Sequence, residues 1–154
     1  MFDIINLEIN FLEKNWPKDL PSGIIHADVF QDNVFFNNNF FSGIIDFYFA
    51  CNDYYAYELA ICINAWCFNS NNELDSKKSN SILQAYQIHR KLLETEKKAF
   101  PILVRGAAMR FLLTRLNDHI YKQEQAFVKH KDPMEYFHIL HFHQKNNLLK
   151  KIDF

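Results

Sequence analysis

One stretch, residues 23 to 48, constrains the fold of this chain more than any other. It reads G-I-I-H-A-D-V-F-Q-D-N-V-F-F-N-N-N-F-F-S-G-I-I-D-F-Y. Apolar runs at 24–25, 34–36 and 40–45 alternate with polar segments, which is typical of short β-strands joined by turns. The Asn-rich segment 37–39 predicts a reversal between the last two runs. We therefore expect a strand, a loop and a hairpin that bring four polar side chains to the same end of one small sheet: His26, Asp28, Asn33 and Asp46.

The spacing of these four residues is typical of a phosphotransferase catalytic loop. H-x-D-x-x-x-x-N is followed, after the hairpin, by I-I-D-F. In the general phosphoryl-transfer template, the aspartate at the position of Asp28 accepts or orients the proton of the substrate hydroxyl. Asn33 and Asp46 offer the oxygen ligands that Mg²⁺ prefers, and His26 is expected to brace the loop. The pattern thus predicts phosphoryl transfer from ATP with Mg²⁺.

Each of these residues, taken alone, is an ordinary turn former or strand cap. A solitary Asp or Asn in a loop therefore carries little functional information. The joint occurrence of all of them at the template's offsets, flanked by β-type apolar runs, favours the kinase-like site over the plain structural interpretation.

Composition limits the domain count and the partners. At 154 residues the chain is expected to form one domain, residues 1–154. A net charge of −1 favours neither nucleic acid nor an anionic membrane, and no apolar run approaches the roughly 20 residues of a membrane span. The three cysteines lack a C-x-x-C pair, as in reduced thiols, and Asp3 with no basic leader argues against a secretory signal. We expect a cytoplasmic protein without nucleic-acid or membrane partners.

Helical periodicity covers most of the remaining chain. Residues 3–14 place Ile5, Ile9 and Leu12 on one face, with Glu8 and Glu13 off it. A second helix is predicted over 54–68, with Asp53 as its N-cap and Glu58 at its edge. Residues 69–80 are predicted as a loop. Ser79 or Asn80 is expected to cap a third helix with four inward side chains, Ile82, Leu83, Tyr86 and Leu93.

The carboxyl-terminal part is also predicted to be helical. Thr95 opens a short turn, and Pro101 is expected at the first position of a long helix that ends near residue 120. Arg110 and Arg115 in that helix are expected to extend to the surface. Residues 129–133 form a loop and 134–146 a last helix. Its histidines at 138 and 141 share one face of the helix, but the histidine at 143 does not. No carboxylate or Cys stands at ligand spacing from them, which argues against a zinc site.

The predicted fold class is α+β, mostly helical, with a small hairpin rather than a doubly wound sheet. Five longer segments of the chain resemble the sequences of one protein family. L-P-S-G-I-I-H-A-D-V-F-Q-D-N-V-F-F, S-G-I-I-D-F-Y-F-A-C-N-D, Y-E-L-A-I-C-I-N-A-W-C-F, A-A-M-R-F-L-L-T-R-L and K-D-P-M-E-Y-F-H-I-L-H-F-H together cover nearly all of the chain. They resemble bacterial homoserine kinases of the aminoglycoside phosphotransferase/choline kinase-like superfamily. The H-x-D core indicates only a kinase, whereas D-F-Y-F-A-C-N-D and A-A-M-R-F point to homoserine.

The resemblance implies the carboxyl-terminal lobe of a protein-kinase-like fold, with the hairpin carrying the catalytic loop. It implies transfer of the ATP γ-phosphate to the side-chain hydroxyl of L-homoserine, a step toward threonine. By position, Asp28 matches the catalytic aspartate, and Asn33 and Asp46 match the magnesium ligands. Glu58 stands where the superfamily often has the Asp of D-L-A, which supports the catalytic loop. Asp53 and Glu58 are also candidates for attracting the homoserine ammonium group.

The family's amino-terminal lobe supplies a glycine-rich loop over the phosphates and a strand lysine with its helix glutamate partner. The chain has three glycines, none in G-x-G spacing, and no V-A-x-K strand. We therefore expect the nucleotide-binding lobe to be absent, so that the isolated chain binds ATP poorly. Three accounts stay open: a fragment of a longer enzyme, a split enzyme with a separate amino-terminal lobe, or a remnant. Alternatives to homoserine are choline, an aminoglycoside or another small alcohol, and a non-catalytic interaction module.

Overall fold

The computed structural model describes residues 2–121 and 131–154. In this part of the chain the fold is α+β and mostly helical, as the sequence predicts. Its helices and strands are α1 (Phe2–Asn15), β1 (Ser22–Ile25), β2 (Val34–Asn37), β3 (Phe40–Ile44), β4 (Cys51–Tyr54), α2 (Tyr55–Trp66), α3 (Ser76–His89), α4 (Glu94–Ile120) and α5 (Pro133–Lys145). Short 3₁₀ turns occur at Gln31–Asn33, Phe47–Phe49 and Leu148–Lys150.

The strands form two separate antiparallel pairs, so the expectation of one small sheet is wrong. β2 and β3 make the predicted hairpin, with Val34 opposite Ile44 and a register shift between Phe35 and Phe36. β1 pairs instead with β4, from Ser22 opposite Tyr54 to Ile25 opposite Cys51. The sequence C-N-D-Y carries little apolar alternation, which is why this fourth strand is not evident from the pattern.

Asp53 lies in β4 and is not the N-cap of α2, which corrects that prediction. Its Oδ1 atom accepts a 2.7 Å hydrogen bond from the backbone N–H of Tyr54. Tyr54 itself precedes the helix and makes no side-chain capping hydrogen bond. The first turn of α2 is positioned by the β1–β4 pair, and the Tyr55 N–H donates to the carbonyl of Pro21 at 3.1 Å.

The core lies where α4 packs along α5 and α2. Close approach to α1 requires Gly106, because a Cβ atom at this position would overlap the indole ring of Trp16. The largest fully buried apolar side chains come from α2, α3, α4, α5 and the last 3₁₀ turn: Ile61, Ile63, Leu83, Phe100, Leu103, Leu112, Tyr136, Ile139, Leu140 and Leu148. The β1–β4 pair packs against this core through α2.

α1 is confirmed, but Glu8 is not off its buried face. The Glu8 side chain is 2% exposed and forms a bidentate ion pair with Arg105 of α4, with both oxygen–nitrogen distances 2.6 Å. Gln144 of α5 donates a further hydrogen bond to Glu8 at 2.7 Å. A glutamate can occupy the apolar stripe because two neighbouring helices supply donors to its carboxylate.

The boundaries of α3 and α4 differ from the predictions at both amino-terminal ends. α3 is capped by Asp75, which accepts from the N–H groups of Lys77 and Lys78, and not by Ser79 or Asn80. α4 begins at Glu94, so Pro101 lies inside the helix. Leu93, predicted to face inward, is 53% exposed and precedes the helix. Its N–H donates to the Glu96 carboxylate at 2.9 Å, which fixes the helix start two turns before the proline.

Arg115 is buried, which corrects the expectation that it extends to the surface. It lies 2.6 Å from the Glu135 carboxylate and donates to the Asp132 carbonyl at 3.0 Å. Of the predicted loop 129–133, residues 129 and 130 lie outside the described residues. α5 begins at Pro133 with Asp132 as its N-cap. In the described ranges, no helix combines the length and apolarity needed to cross a membrane.

Candidate active site

The loop after β1 brings three of the predicted site residues into one hydrogen-bonded unit. The Asn33 side-chain amide donates to the Asp28 carbonyl at 2.9 Å and to the Asp28 carboxylate at 3.1 Å. The Asp28 N–H donates to His26 Nδ1 at 3.2 Å. His26 and Asn33 therefore hold Asp28 from its amino-terminal and carboxyl-terminal sides.

The same residues tie the loop to the segment that carries Asp46. His26 Nε2 lies 2.8 Å from the Ile45 carbonyl oxygen, and the Ile45 N–H donates to the Asn33 carbonyl at 3.0 Å. Because Nδ1 accepts from Asp28, Nε2 must carry the proton that is donated to Ile45. The imidazole also packs edge-on against Phe47, at 4.6 Å between ring centroids. Neutral His26 therefore links the Asp28 loop to the segment that carries Asp46.

Ala27 has a backbone conformation that is unusual for a residue with a Cβ atom. Its φ is 61°, in the left-handed region, and its side chain is 2% exposed. Its N–H donates to Glu58 Oε2 of α2 at 2.8 Å, and its carbonyl accepts from Arg110 of α4 at 2.7 Å. Two charged side chains from two helices therefore hold this residue in place.

Asp28 is half-buried, and its electrostatic surroundings are mixed. Burial raises the pKa of the Asp28 carboxyl group above its ordinary value, and the negative charge of Asp46 adds to this. The charges of Arg110 and Lys131 and the hydrogen bond from Asn33 oppose the shift. A carboxylate made more basic in this way is better suited to accept a proton from a hydroxyl group than an exposed one.

The oxygen atoms of Asn33 and Asp46 suit a magnesium ion. Asn33 uses its amide nitrogen for both contacts with Asp28, so its side-chain carbonyl oxygen accepts no hydrogen bond among the described residues. Asp46 is exposed and follows β3 in a left-handed conformation, with φ 64°. The described residues contain no group of three or more His, Cys, Asp or Glu side chains arranged to hold a metal ion. Mg²⁺ commonly takes only one or two protein carboxylates, with water and phosphate oxygens completing its shell.

Glu58 and Asp53 occupy different places relative to the loop. Glu58 contacts the loop directly through Ala27, and burial raises the pKa of its carboxyl group against the opposing influence of that hydrogen bond, His26 and Arg110. Asp53 stays on the β1–β4 pair opposite Gly23, two positions from the end of β1 that leads into the loop. The structure thus joins His26, Asp28, Asn33 and Glu58 in one network and leaves Asp53 outside it.

Arg110 is the residue of this site that sequence reasoning placed wrongly. It was expected to extend to the surface, yet it is half-buried and bonded to the loop. One signal is present in the sequence, because residue 110 continues the buried stripe of Leu103 and Ala107 at helical spacing. A charged residue in such a stripe requires a polar partner in the interior.

A cavity of about 850 Å³ borders the loop on a different side. Its lining includes Phe30 and Asp32 but neither Asp28 nor Asp46. Four charged side chains in its lining form two ion pairs: Lys131 with Asp32 and Arg115 with Glu135, both at 2.6 Å. The group of Asp28, Asn33 and Asp46 therefore lies outside this cavity and is a separate candidate site.

Comparison with known proteins relates the chain to phosphotransferases. A family model described as "Phosphotransferase enzyme family" matches residues 3–95. The chain is 51% identical over 144 residues to a homoserine kinase of Nitrobacter hamburgensis, covering 94% of this chain and 44% of that protein. It is 54% identical over 140 residues to the Rhodospirillum rubrum homoserine kinase, covering 91% of this chain and 44% of that protein. It is 52% identical over 150 residues to the Bartonella henselae homoserine kinase, covering 97% of this chain and 47% of that protein. The chain spans less than half the length of these relatives.

Proposed function

The chain belongs to the phosphotransferase enzyme family, and we propose that it forms the catalytic lobe of an ATP- and Mg²⁺-dependent homoserine kinase with a protein-kinase-like fold. The observation that carries the proposal is the hydrogen-bonded unit of His26, Asp28 and Asn33, joined through Ile45 to Asp46. One general base and two oxygen ligands at the template's spacing are the parts that phosphoryl transfer requires from this half of a site.

In the proposed reaction, Asp28 orients the acceptor hydroxyl and takes its proton. The hydroxyl oxygen forms a bond to the γ-phosphorus, the bond from that phosphorus to the bridging oxygen breaks, and ADP leaves with the electron pair. Asn33 and Asp46 would hold Mg²⁺, which when bound neutralises charge on the phosphate oxygens. The network around Ala27 contributes positioning, because a small displacement of a general base strongly lowers the rate.

Homoserine as the acceptor is supported by the relatives, which carry the name homoserine kinase at 51–54% identity. The described contacts select no particular alcohol, since Asp53 and Glu58 are held by backbone donors within the fold. Their proposed attraction for the substrate ammonium group requires that their remaining oxygen atoms stay accessible in the assembled enzyme. Choline and aminoglycosides are the competing acceptors of the same chemistry.

The remaining length of the relatives is proposed to complete the nucleotide site. Seven exposed aromatic side chains lie close to Asp46 in sequence, in the β2–β3 hairpin and in the 3₁₀ turn that follows it: Phe35, Phe36, Phe40, Phe41, Phe47, Tyr48 and Phe49. Exposed large apolar side chains in such number commonly mark an interaction region. We propose that the hairpin and the turn face a nucleotide-binding lobe, carried on a longer form of the chain or on a separate polypeptide. A remnant without such a lobe would be inactive.

The test is reconstitution. The part of the Bartonella henselae homoserine kinase that this chain does not match is supplied, fused or separate, and ATP-dependent phosphorylation is measured with homoserine, choline and kanamycin. We expect preference for homoserine. Asp28→Asn should lower kcat by about 10²–10⁴-fold while nucleotide binding persists. The matched control is Asp19→Asn, because Asp19 is exposed with φ 59° and Asn tolerates that conformation.

Equal turnover of all three acceptors would contradict the homoserine assignment while keeping the kinase chemistry. Full activity in Asp28→Asn would contradict the assigned base. No nucleotide binding and no turnover in the reconstituted protein would contradict the proposal as a whole.

A further inference from the structure

The contact between α4 and the loop raises the question of what maintains the conformation of Ala27. A left-handed backbone is unfavourable for alanine, because its Cβ approaches the neighbouring carbonyl oxygen. Ala27 nevertheless adopts it one residue before Asp28 and two residues from the end of β1. Such a conformation persists only where the surroundings determine it strongly.

Two hydrogen bonds act on this residue from opposite ends. Glu58 accepts from the Ala27 N–H, and Arg110 donates to the Ala27 carbonyl. Because one end of each bond is ionised, both are of the stronger, charge-assisted kind. Arg110 is separated from Ala27 by 83 residues and lies beyond the part of the chain that matches the family model, residues 3–95.

The guanidinium group of Arg110 is itself held in place. Its central carbon lies 4.7 Å from the ring centroid of Phe111 and 5.5 Å from that of Phe49, which follows Asp46. Arginine is suited to this arrangement, because its planar group can stack on aromatic rings while its edge donates hydrogen bonds. Arg110 thus contacts the segments on both sides of the proposed metal site.

We propose that Arg110 is a positioning residue of the phosphotransfer site, which together with Glu58 clamps Ala27 in the left-handed conformation and thereby aims Asp28. The inference rests on the proposed phosphotransferase function, but the clamp itself is a property of the folded chain. It assigns α4, whose other contacts form the core, a direct part in shaping the catalytic loop.

The alternative is that Arg110 contributes only to general stability. The two roles differ in what glycine at position 27 does. If the clamp maintains a strained conformation, Ala27→Gly should restore the loop in a protein without the clamp, because glycine adopts positive φ freely. A purely structural arginine would not be compensated by a change at position 27.

The experiment uses NMR of the 154-residue chain, so it needs neither nucleotide nor acceptor. In Arg110→Met, the ¹³Cα and ¹³Cβ shifts of Ala27 should move away from values typical of positive φ. Exchange of the Asp28 amide, which donates to His26, should become about tenfold faster or more. The double variant Arg110→Met/Ala27→Gly should recover most of that protection.

The matched control is Arg105→Met, the same substitution five residues earlier in α4, where the hydrogen bonds go to Glu8 of α1. It should destabilise the protein and leave the Ala27 shifts and the relative protection of Asp28 unchanged. If Arg110→Met does not fold, Arg110→Lys replaces it, with an intermediate loss expected because lysine offers a single point of contact.

Unchanged Ala27 shifts and Asp28 exchange in the Arg110 variant would overturn the proposal. So would equal changes in Arg105→Met, or no recovery on adding Ala27→Gly. None of these outcomes depends on homoserine being the acceptor, so a failed clamp and a failed functional assignment remain distinguishable.

Discussion

Glu58 shows at the scale of a single residue how support for the loop is linked to pH. Its side chain is half-buried, and burial raises the pKa of the carboxyl group despite the Ala27 hydrogen bond and the nearby charge of Arg110. A carboxyl group whose pKa is higher in the folded than in the unfolded protein binds more protons when folded. Its contribution to stability is therefore full at low pH and declines as pH rises from the ordinary glutamate value through the raised one.

We expect Glu58→Gln to remove this decline. Glutamine keeps an oxygen that can accept from the Ala27 N–H but does not ionise. Relative to wild type, the variant should gain free energy of unfolding as pH rises through that interval. Urea unfolding at several pH values between 4 and 8 measures the difference.

The control is Glu94→Gln, an exposed site. The hydrogen bond and charge of Lys97 lower the pKa of Glu94. Relative to wild type, Glu94→Gln should therefore lose free energy of unfolding as pH rises, which is the opposite sign. If the difference in free energy of unfolding between Glu58→Gln and wild type does not vary with pH, burial does not raise the pKa of Glu58.

Helix α4 sets the arrangement at the scale of elements, since it touches α1, α2 and α5. Gly106 allows the contact with α1, because any Cβ there would enter the space of the Trp16 ring. We expect Gly106→Ala to lower the free energy of unfolding by about 1–3 kcal/mol through overpacking, which more than offsets the better helix propensity of alanine.

Thermal and urea unfolding measure this change. Gly43→Ala in β3 is the comparison, because a Cβ at Gly43 meets no atom within 4 Å. An unchanged or raised stability of Gly106→Ala would mean that Trp16 moves aside at no cost and that the α1–α4 contact is loosely packed.

His143 connects three helices through buried polar groups. Its Nε2 lies 2.8 Å from Asn64 Oδ1 of α2, and Asn64 donates to the Val104 carbonyl of α4 at 2.9 Å. Since Asn64 offers its oxygen, His143 donates from Nε2 and is neutral, with Nδ1 lacking a hydrogen-bond partner in the described chain. Burial, with the charge of Arg105, lowers the His143 pKa to about 3.

The contribution of His143 to stability changes with pH in the direction opposite to that of Glu58. A histidine with a depressed pKa stabilises the fold above its ordinary value of about 6.5, and this contribution is lost as pH falls toward the lowered value, at roughly 1 kcal/mol per pH unit. In His143→Gln, the loss of stability between pH 7 and pH 5 should be smaller than in wild type. His138→Gln, at an exposed position of the same helix, should keep the wild-type loss. Equal slopes in all three proteins would contradict the assignment.

The elements show how far the sequence determines the structure. The β2–β3 hairpin is local, so the sequence of residues 23–48 predicts it well. The partners of Glu8, Arg110 and Arg115 could not be identified from sequence, because they lie 97, 83 and 20 residues away. The start of α4 was missed for a similar reason: Glu96 is buried against Arg90 and receives the Leu93 N–H, so the helix begins before Pro101. Strand β4 depends on β1 and not on its own composition.

At the scale of the whole molecule, the candidate site adjoins a turn of exposed aromatic side chains. Asp46 leads directly into the 3₁₀ turn Phe47–Phe49, and Tyr48 in that turn is 85% exposed. A kinase-type site needs donors on both sides of the phosphates. The described chain offers oxygen ligands at this site, and its three glycines form no phosphate-covering loop.

We therefore expect the isolated chain to bind Mg²⁺-ATP weakly and to turn over little. Isothermal titration of Mg²⁺-ATP is made into the chain alone and into the chain mixed with the unmatched part of a relative. Binding should appear in the mixture and be reduced by Asp46→Asn, because an amide gives the ion a neutral ligand in place of a charged one. Asp19→Asn again serves as the control.

The two outcomes separate the accounts of this chain. Binding only in the mixture means that the Asp28 site becomes functional through a second lobe. Strong binding and robust homoserine phosphorylation by the chain alone would contradict the need for a second lobe, since the described residues would then bind the nucleotide from one side. Absence of binding in both preparations would favour a remnant, in which the hydrogen bonds among His26, Asp28 and Asn33 persist only because they stabilise the fold.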